Sequence, residues 1–529
     1  MANEFICRAD WPVVTTDKGQ LRGFFFNGVF HFRGIKYADA ERFQAPRPVE
    51  RWDGIRDALE YGLNCVGPDG VRDRQPVGEL FTPHRYWPES EHCQYLNVFT
   101  SSIDPNAKKA VMVWLHGGGY LDGSAIEMTC YDGTNLAKNE DIVCVTLNHR
   151  LNVLGFLDVS EYGPQYKNSV NAGMADIVAA LQWIQENIAA FGGDPENVTI
   201  FGQSGGGGKV SALEQIPAAE GLFHKAIVMS GAIPDDDGLV YTDAPSKKIA
   251  EAIMEELGSA DHDFQILLEA PAVVLERATA RAQNNLKKQG YSIGWGPQKN
   301  GWYEGYVVYN GVSEHSKKIP TIFGTEICEF GYNPFSDPNS VSETDRRSAI
   351  IERFGEDKGR RLIELYEKAY PGVNILNVFS LDMLFRPATK EMIRRRVQEC
   401  SAPTYCYMMT LEFPYLSGKR AWHCADIPFA FGNAAEIGLY NIPNGITEKV
   451  QEQFCKAFTS FAKTGDPNHG KIPTWKPCDS EHLYTMLFDN DAVLRTDFDD
   501  KLIDYYKSIT PEFKMKFPAT ENDKKRWLW

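Results

Sequence analysis

Short apolar runs recur along the chain and predict β-strands that are buried on both faces. Strands covered on both sides read as nearly continuous apolar segments, whereas half-exposed strands alternate apolar and polar residues. The runs are Ala110–Leu115, Ile142–Leu147, Val198–Phe201, Ala226–Met229, Ile319–Phe323 and Thr404–Met409.

Helical patterns lie between these runs. The clearest places apolar residues three and four positions apart, which gives one apolar stripe, and the pattern ends at Gly192-Gly193. Its members are Met174, Ile177, Leu181, Ile184 and Ile188. Alternation of strands and helices predicts an α/β class with a mostly parallel central sheet and helices on both faces.

Two stretches, 232–318 and 331–402, separate later strands by more residues than one crossover helix needs. We expect them to be helical insertions that line the pocket. The chain shows neither an internal repeat nor a linker rich in Pro, Gly or Ser, so we expect residues 1–529 to form a single domain.

Composition is that of a globular chain, with 43% apolar and 24% charged residues. The net charge of −16 argues against binding nucleic acid or an anionic membrane surface, because both require a basic face. No apolar run is long enough for a membrane span, and the N-terminus does not resemble a signal peptide. These features predict a cytoplasmic protein.

Cysteine usage excludes two other classes of protein. Eleven cysteines in 529 residues are too dilute for a disulfide scaffold, and no closely spaced Cys/His cluster predicts a zinc site. We therefore expect no metal and no cofactor.

The first candidate for chemistry is Ser204, which follows the run Val198–Phe201 within a Gly-Gln-Ser-Gly-Gly segment. A strand, GxSxG and a helix-compatible segment form the nucleophile elbow of hydrolases. The alternative is a glycine turn with a solvated serine. However, the four glycines that follow Ser204 each cost a helix about 1 kcal/mol relative to alanine, so close approach of another backbone explains them better.

A second glycine run, His116-Gly117-Gly118-Gly119, directly follows the run Ala110–Leu115. This is the HGGG type of oxyanion loop, in which backbone N–H groups point at one spot. We expect the N–H groups of Gly118, Gly119 and Gly205 to form the oxyanion hole. The alternative is a flexible loop without a function.

A general base and an orienting acid should follow the serine in the chain, with the acid first. Among the eleven histidines, His423 is the best base because it lies in a loop after the last apolar run. Glu329, just beyond another run, is the best acid. Glu326 and the run Asp235-Asp236-Asp237 remain alternatives.

The motifs in this order resemble the type-B carboxylesterase and lipase family, which includes cholinesterases, and favour a bacterial-type member. The resemblance extends over roughly residues 13–490. Besides the elbow and the glycine loop, it rests on Phe32–Ala38, Arg42-Phe43, Ser90–Val98, Asn148–Leu151, Phe191–Pro195, Gly221–His224, Ala421–Phe429 and Phe461–Pro467.

The resemblance implies an α/β-hydrolase fold and the same triad and oxyanion residues that the motifs indicate. It also implies supporting roles for Gln203 and for Ser230, the latter beside Glu329. Further implications concern pairs of residues: ion pairs Arg42–Glu91 and Arg150–Asp176, and a disulfide between Cys65 and Cys93 in secreted relatives.

These features predict a serine carboxylesterase that hydrolyses small-molecule esters through an acyl-enzyme, as a monomer or homodimer. Activity should rise through roughly pH 6 to 7, the range in which an ordinary imidazole becomes neutral. Gln203 and Pro83 replace residues that cholinesterases use, so choline esters are not expected substrates. The alternatives are a non-catalytic binding module and a hydrolase of amides, thioesters or carbamates.

Overall fold

The computed structural model describes residues 4–68, 83–233, 240–331, 333, 335, 337–415 and 418–510. Asp235-Asp236-Asp237, an alternative for the catalytic acid, lies outside these residues. The chain forms two compact units. The first comprises Met1–Thr321, Glu399–Ala402 and Phe458–Pro467, and the second comprises Ile322–Gln398, Pro403–Ala457 and Asn468–Trp529.

The first unit contains an α/β arrangement of strands and helices. Its strands are β1 Phe5–Ile6, β2 Val13–Thr15, β3 Gln20–Arg22, β4 Phe24–Phe26, β5 Val29–Lys36, β6 Ala38–Asp39, β7 Arg47–Pro48, β8 Ile55–Asp57, β9 Tyr95–Thr100, β10 Lys109–Leu115, β11 Val143–Leu147, β12 Gly193–Gln203 and β13 Lys225–Met229. Its helices are α1 Thr134–Asn139, α2 Asn152–Phe156, α3 Ala172–Asn187, α4 Gly205–Leu213, α5 Ser246–Glu256, α6 Gln265–Glu269, α7 Ala272–Lys288 and α8 Val307–Asn310. The helix predicted from Met174 onwards is therefore α3, which continues as a 3-10 turn over Ile188–Phe191.

The main sheet of this unit has the strand order β1-β4-β5-β9-β11-β10-β12-β13. Strands β11, β10, β12 and β13 are parallel to one another, whereas the strands on the β1 side pair antiparallel. The parallel register pairs Leu115 with Gly202 and Gln203 with Met229. Because the carboxyl ends of β10, β12 and β13 thus lie at one edge, the segments that follow them are brought together there.

Two ion pairs, one partly and one fully buried, hold the loops around this sheet. Arg42 Nε donates to Glu91 at 2.7 Å, and the Arg150 guanidinium donates to Asp176 at 2.7 and 2.8 Å. Arg150 and Asp176 are both inaccessible to solvent, and a buried charge is tolerated when a partner and hydrogen bonds satisfy it. Both ion pairs implied by the family resemblance are confirmed.

Cys65 and Cys93 are free thiols in this structure. They lie against each other, and burial, followed by the hydrogen bond to Cys65, raises the pKa of the Cys93 thiol well above its usual value. A neutral thiol is a poor nucleophile, so this pair packs as two small buried side chains.

The second unit contains the later strands and helices. The strands are β14 Thr321–Glu326, β15 Thr404–Met409, β16 Glu412–Phe413, β17 Lys419–Arg420, β18 Tyr484–Phe488 and β19 Ala492–Thr496. The helices are α9 Glu343–Phe354, α10 Glu356–Ala369, α11 Phe385–Glu399, α12 Ile427–Ala430, α13 Ile446–Thr464, whose last turns belong to the first unit, and α14 Asp500–Ile509. β15 and β18 are parallel, and β18 and β19 are antiparallel.

A buried charge cluster links α11 to the start of α14. Asp499 accepts hydrogen bonds from Arg386 at 2.7 Å and from Lys390 at 3.0 Å. All three side chains are almost completely buried. Although burial opposes it, the attraction of the two cations lowers the pKa of Asp499, so the carboxylate stays ionised and fixes the position of α11.

Candidate active site

Ser204 lies in the sharp turn between β12 and α4. Its backbone has φ 58° and ψ −127°, a region that non-glycine residues avoid and that is found at functional turns. The glycines beside it are required by close contact, since a Cβ on Gly206 would lie 2.0 Å from the carbonyl oxygen of Leu115. Because the turn cannot relax, it presents the serine at the carboxyl end of β12.

The glycine loop follows β10 at the same sheet edge. Gly118 and Gly119 both have a positive φ, of 86° and 58°, which favours glycine at these positions. The loop lies against the first turn of α4, because a Cβ on Gly205 would come within 2.3 Å of the nitrogen of Gly119. The first unit therefore brings together Ser204 and the backbone of the three predicted oxyanion residues.

Two further predicted residues occupy the ends of neighbouring strands. Gln203 is the last residue of β12 and Ser230 directly follows β13, and both are buried. The backbone N–H of Ser204 donates to Met229 at 2.9 Å, which ties the elbow to the segment carrying Ser230. The specific roles expected of Gln203 and Ser230 remain predictions.

In the second unit, His423 and Glu329 form a close pair. The distance between Nδ1 of His423 and Oε2 of Glu329 is 2.6 Å, and the other carboxylate oxygen accepts the backbone N–H of Glu326 at 2.8 Å. The two segments are also joined through the backbone, because His423 N–H donates to the carbonyl oxygen of Glu329 at 3.1 Å. The pair is thus held by both side chain and backbone.

Aromatic rings surround the imidazole of His423. The ring centroids of Phe330 and Phe385 lie 4.0 and 5.1 Å from it. Burial lowers the pKa of His423 to about 4, while Asp426 and Asp382 oppose this shift. The imidazole is therefore neutral at neutral pH, as a general base must be.

Acidic side chains form a buried cluster around this pair. Tyr407 donates to Asp426 at 2.6 Å, and the backbone N–H of Asp426 donates to Glu326 at 2.8 Å. Burial raises the pKa of Glu326 well above its usual value, that of Asp426 to about 6, and that of Asp382 to about 7. The cluster therefore carries less negative charge than its carboxyl groups would at full ionisation.

Sequence reasoning missed most of this cluster. The sequence offers Glu326 only as an alternative to Glu329 as the orienting acid, whereas in the structure Glu326 accepts the backbone N–H of Asp426 at 2.8 Å. Asp426 belongs to the His423 motif, where its spacing could have drawn attention, whereas no motif marks Asp382. Within the described ranges, no three His, Cys, Asp or Glu side chains are grouped so as to hold a metal ion.

Comparison with known proteins agrees with the motifs. The model of the carboxylesterase family matches residues 10–505. The chain belongs to the carboxylesterase family. It is 32% identical to the para-nitrobenzyl esterase of Bacillus subtilis, over 92% of this chain and 96% of that protein.

Solved carboxylesterase structures are also similar to this chain. One is an esterase from the anaerobe Clostridium hathewayi that can hydrolyse aliphatic aromatic polyesters. It is 42% identical to this chain, with a TM-score of 0.91, and the match covers 96% of this chain and 100% of that one. Another is carboxylesterase EST55 of Geobacillus stearothermophilus, with 30% identity, a TM-score of 0.73, and coverage of 94% and 100%. This carboxylesterase therefore has the α/β-hydrolase fold and is a carboxylic ester hydrolase.

The sequence contains no apolar run long enough to predict a membrane span. Of the helices in the described part of the chain, none combines the length and the apolar character that crossing a bilayer requires.

Proposed function

We propose that this carboxylesterase uses Ser204 as nucleophile, His423 as general base and Glu329 as the acid that orients the histidine. In this proposal, the N–H groups of Gly118, Gly119 and Gly205 stabilise the oxyanion. The strained turn at Ser204, the adjoining glycine loop and the paired His423 and Glu329 support these roles.

The steps of ester hydrolysis follow from which of these groups can accept or donate a proton. His423 accepts the Ser204 hydroxyl proton through Nε2 while the serine oxygen bonds to the ester carbonyl carbon. The carbonyl π-electrons move onto oxygen, and the intermediate collapses as His423 returns the proton to the leaving alcohol. Water then attacks the acyl-enzyme by the same route, which releases the acid and restores Ser204.

The observation that carries the proposal is the 2.6 Å hydrogen bond between His423 and Glu329. Since a carboxylate can only accept, Nδ1 must carry the proton, and this leaves the lone pair on Nε2 for the serine. Glu326 has a different role, since one of its oxygens accepts the backbone N–H of Asp426. We therefore propose Glu329, and not Glu326, as the acid of the triad.

Replacing Glu329 with glutamine tests this assignment. The amide can still bond to the imidazole, but it offers an N–H group that favours the wrong tautomer, and we expect kcat to fall by about 10³- to 10⁴-fold. Glu326→Gln is the matched control, because it makes the same carboxyl-to-amide change at the nearby buried carboxyl group, whose pKa burial raises well above its usual value. We expect that variant to stay within about tenfold of wild type.

Steady-state hydrolysis of p-nitrophenyl butyrate, with circular dichroism to check folding, measures both variants. If the two losses were equal, or if Glu326→Gln were the more damaging, Glu329 would not be the orienting acid.

The pH dependence gives a second test. Because the neutral imidazole is the active form and burial lowers the pKa of His423 to about 4, protonation should abolish activity only as the pH falls through about 4. We expect kcat/KM to be retained down to about pH 5, rather than to fall between 6 and 7 as the unperturbed side chain suggests. An acid limb centred above about pH 6 would contradict this expectation.

For the substrate, we propose esters with an aromatic acid or alcohol part. This is supported by the polyester-hydrolysing esterase of C. hathewayi and the para-nitrobenzyl esterase of B. subtilis, at 42% and 32% identity.

We also propose that the enzyme acts in the cytoplasm as a monomer or homodimer, and the free thiols of Cys65 and Cys93 are in keeping with a reducing compartment.

A further inference from the structure

A lysine lies buried in the nucleophile helix, five positions after Ser204. Lys209 belongs to α4 and has no exposed surface. An ammonium group that is removed from water needs hydrogen-bond acceptors nearby. The contacts of Lys209 therefore indicate what it does.

The ammonium of Lys209 binds the backbone of the glycine loop. Its Nζ donates to the carbonyl oxygen of His116 at 2.8 Å and to that of Gly117 at 3.3 Å. It also lies 5.8 Å from the centre of the Tyr120 ring, within the range of a cation–π contact. The lysine thus connects the helix that carries the nucleophile to the loop that carries the oxyanion donors.

The carbonyl of Gly117 belongs to the same peptide group as the N–H of Gly118. A hydrogen bond from a cation to a carbonyl oxygen fixes the peptide plane and makes its N–H a stronger donor. The next peptide is fixed in a similar way, because the carbonyl of Gly118 accepts the N–H groups of Leu121 and Asp122 at 3.0 and 3.2 Å. Both loop peptides whose N–H groups we assign to the oxyanion hole, those of Gly118 and Gly119, are therefore held through their oxygens.

We propose that Lys209 is a positioning residue of the oxyanion hole, whose ammonium orients and polarises the Gly117–Gly118 peptide so that the Gly118 N–H stabilises the tetrahedral intermediate. This inference rests on the proposed function of Ser204 and the glycine loop. Lys209 does not touch the substrate in this role, and it acts through the backbone that it holds.

The surrounding charges are consistent with a cation at this place. Burial lowers the pKa of Lys209 to about 7, while Glu127, Cys65 and Asp122 oppose the shift. Burial, reinforced by Lys209, lowers the pKa values of His116 and His149 well below the usual value. Both imidazoles are therefore neutral, and the positive charge beside the loop carbonyls comes from Lys209.

Deprotonation of Lys209 should change the activity in a direction that can be measured. The charged lysine is the active form, so activity should decline as the pH rises through about 7, whereas His423 is already neutral over that range. We expect an alkaline limb in the kcat/KM profile of the wild-type enzyme. A role that was only structural would not produce this limb at a pH where the protein stays folded.

The variant Lys209→Met removes the charge and both hydrogen bonds while keeping a long unbranched side chain. We expect kcat for p-nitrophenyl butyrate to fall by about 10- to 100-fold, less than the loss of a direct oxyanion donor, with KM changed less than about threefold. The alkaline limb should disappear. The reaction is followed at the isosbestic wavelength of p-nitrophenol, so that its ionisation does not distort the profile.

Lys225→Met is the matched control. Lys225 lies on β13, is also largely buried, and burial lowers its pKa to about 8. Its ammonium donates a hydrogen bond to the side-chain oxygen of Asn197, whereas that of Lys209 donates to the glycine loop. We expect this variant to keep the wild-type kcat and the alkaline limb.

A pair of inhibitors separates positioning from general damage. An aryl trifluoromethyl ketone forms a tetrahedral adduct with the serine, whereas the corresponding secondary alcohol binds without reaction. In Lys209→Met, the inhibition constant of the ketone should rise by the same factor by which kcat/KM falls, and that of the alcohol should stay unchanged. Equal weakening of both inhibitors would overturn the proposal.

Other results would also overturn it. These are a kcat of Lys209→Met within about threefold of wild type, an equal loss in Lys225→Met, or a wild-type profile that is flat from about pH 6 to 9. The wild-type profile decides the question if Lys209→Met fails to fold. Labelling of wild type with a fluorophosphonate tells the two proposals apart, because absence of an adduct on Ser204 would refute the triad itself.

Discussion

Replacing Ser204 with alanine should reduce kcat/KM for p-nitrophenyl esters by about 10⁴- to 10⁶-fold. Alanine keeps the Cβ of serine but lacks the oxygen that we propose forms the acyl-enzyme. The oxyanion N–H groups and His423 would remain, so that a residual rate above that of water is expected from binding and electrostatic stabilisation. The acetate, butyrate, octanoate and decanoate esters, assayed side by side, measure the loss and also the length of acyl chain that the pocket accepts.

Ser211→Ala is the matched control for this experiment. Ser211 lies on the same helix, α4, and is also buried. We expect it to retain activity within a few-fold of wild type. If Ser204→Ala and wild type were equally active, the nucleophile would be another residue. If wild type were inactive on all four esters but active on matched anilides, thioesters or carbamates, the substrate class would have to be revised.

Replacing His423 with alanine should cost about as much as replacing Ser204, about 10⁴- to 10⁶-fold in kcat. The reason is that the serine hydroxyl is a weak nucleophile until a base takes its proton. Because the two residues act as one unit, the double variant Ser204→Ala/His423→Ala should be no slower than either single variant. An additive loss in the double variant would mean that the two residues act independently.

His482 offers a matched control for His423. Its Nδ1 lies 2.7 Å from a carboxylate oxygen of Asp497, as in the His423 pair, but its side chain is 45% exposed. The hydrogen bond to Asp497 raises the pKa of His482, whereas burial lowers that of His423. We expect His482→Ala to leave kcat/KM unchanged, which shows that a His–carboxylate pair alone does not make a catalytic base.

The fold class follows from local patterns in the sequence, and the comparisons confirm it. The apolar runs lie within or beside the strands of the structure, as for Thr404–Met409, which is the whole of β15. Apolar periodicity is a local property, because a side chain's neighbours on the same strand or helix are set by the backbone repeat. The division into two compact units has no such local signature, because it depends on contacts between distant segments.

Those parts of the candidate site that require a fixed local backbone geometry could also be predicted from the sequence. A positive φ at Ser204 and at the glycines of the loop requires particular residues at particular spacings. The order of serine, acid and histidine along the chain reduced the number of candidates for the acid and the base. Chain order alone leaves Glu326 open as the acid; the family resemblance favours Glu329, and the 2.6 Å contact with His423 supports the same choice.

What the sequence determined by itself is therefore the α/β architecture, the strained serine turn and the glycine loop, because each is encoded by neighbours in the chain. What only the tertiary structure decided are the acidic cluster around Glu329, the burial of Lys209 and the low pKa of His423. Removal from water is a sum over residues that are far apart in sequence, such as Phe330 and Phe385 around His423. For that reason the motifs predict the type of reaction, while the packing around the side chains sets their pKa values and thus the pH range of activity.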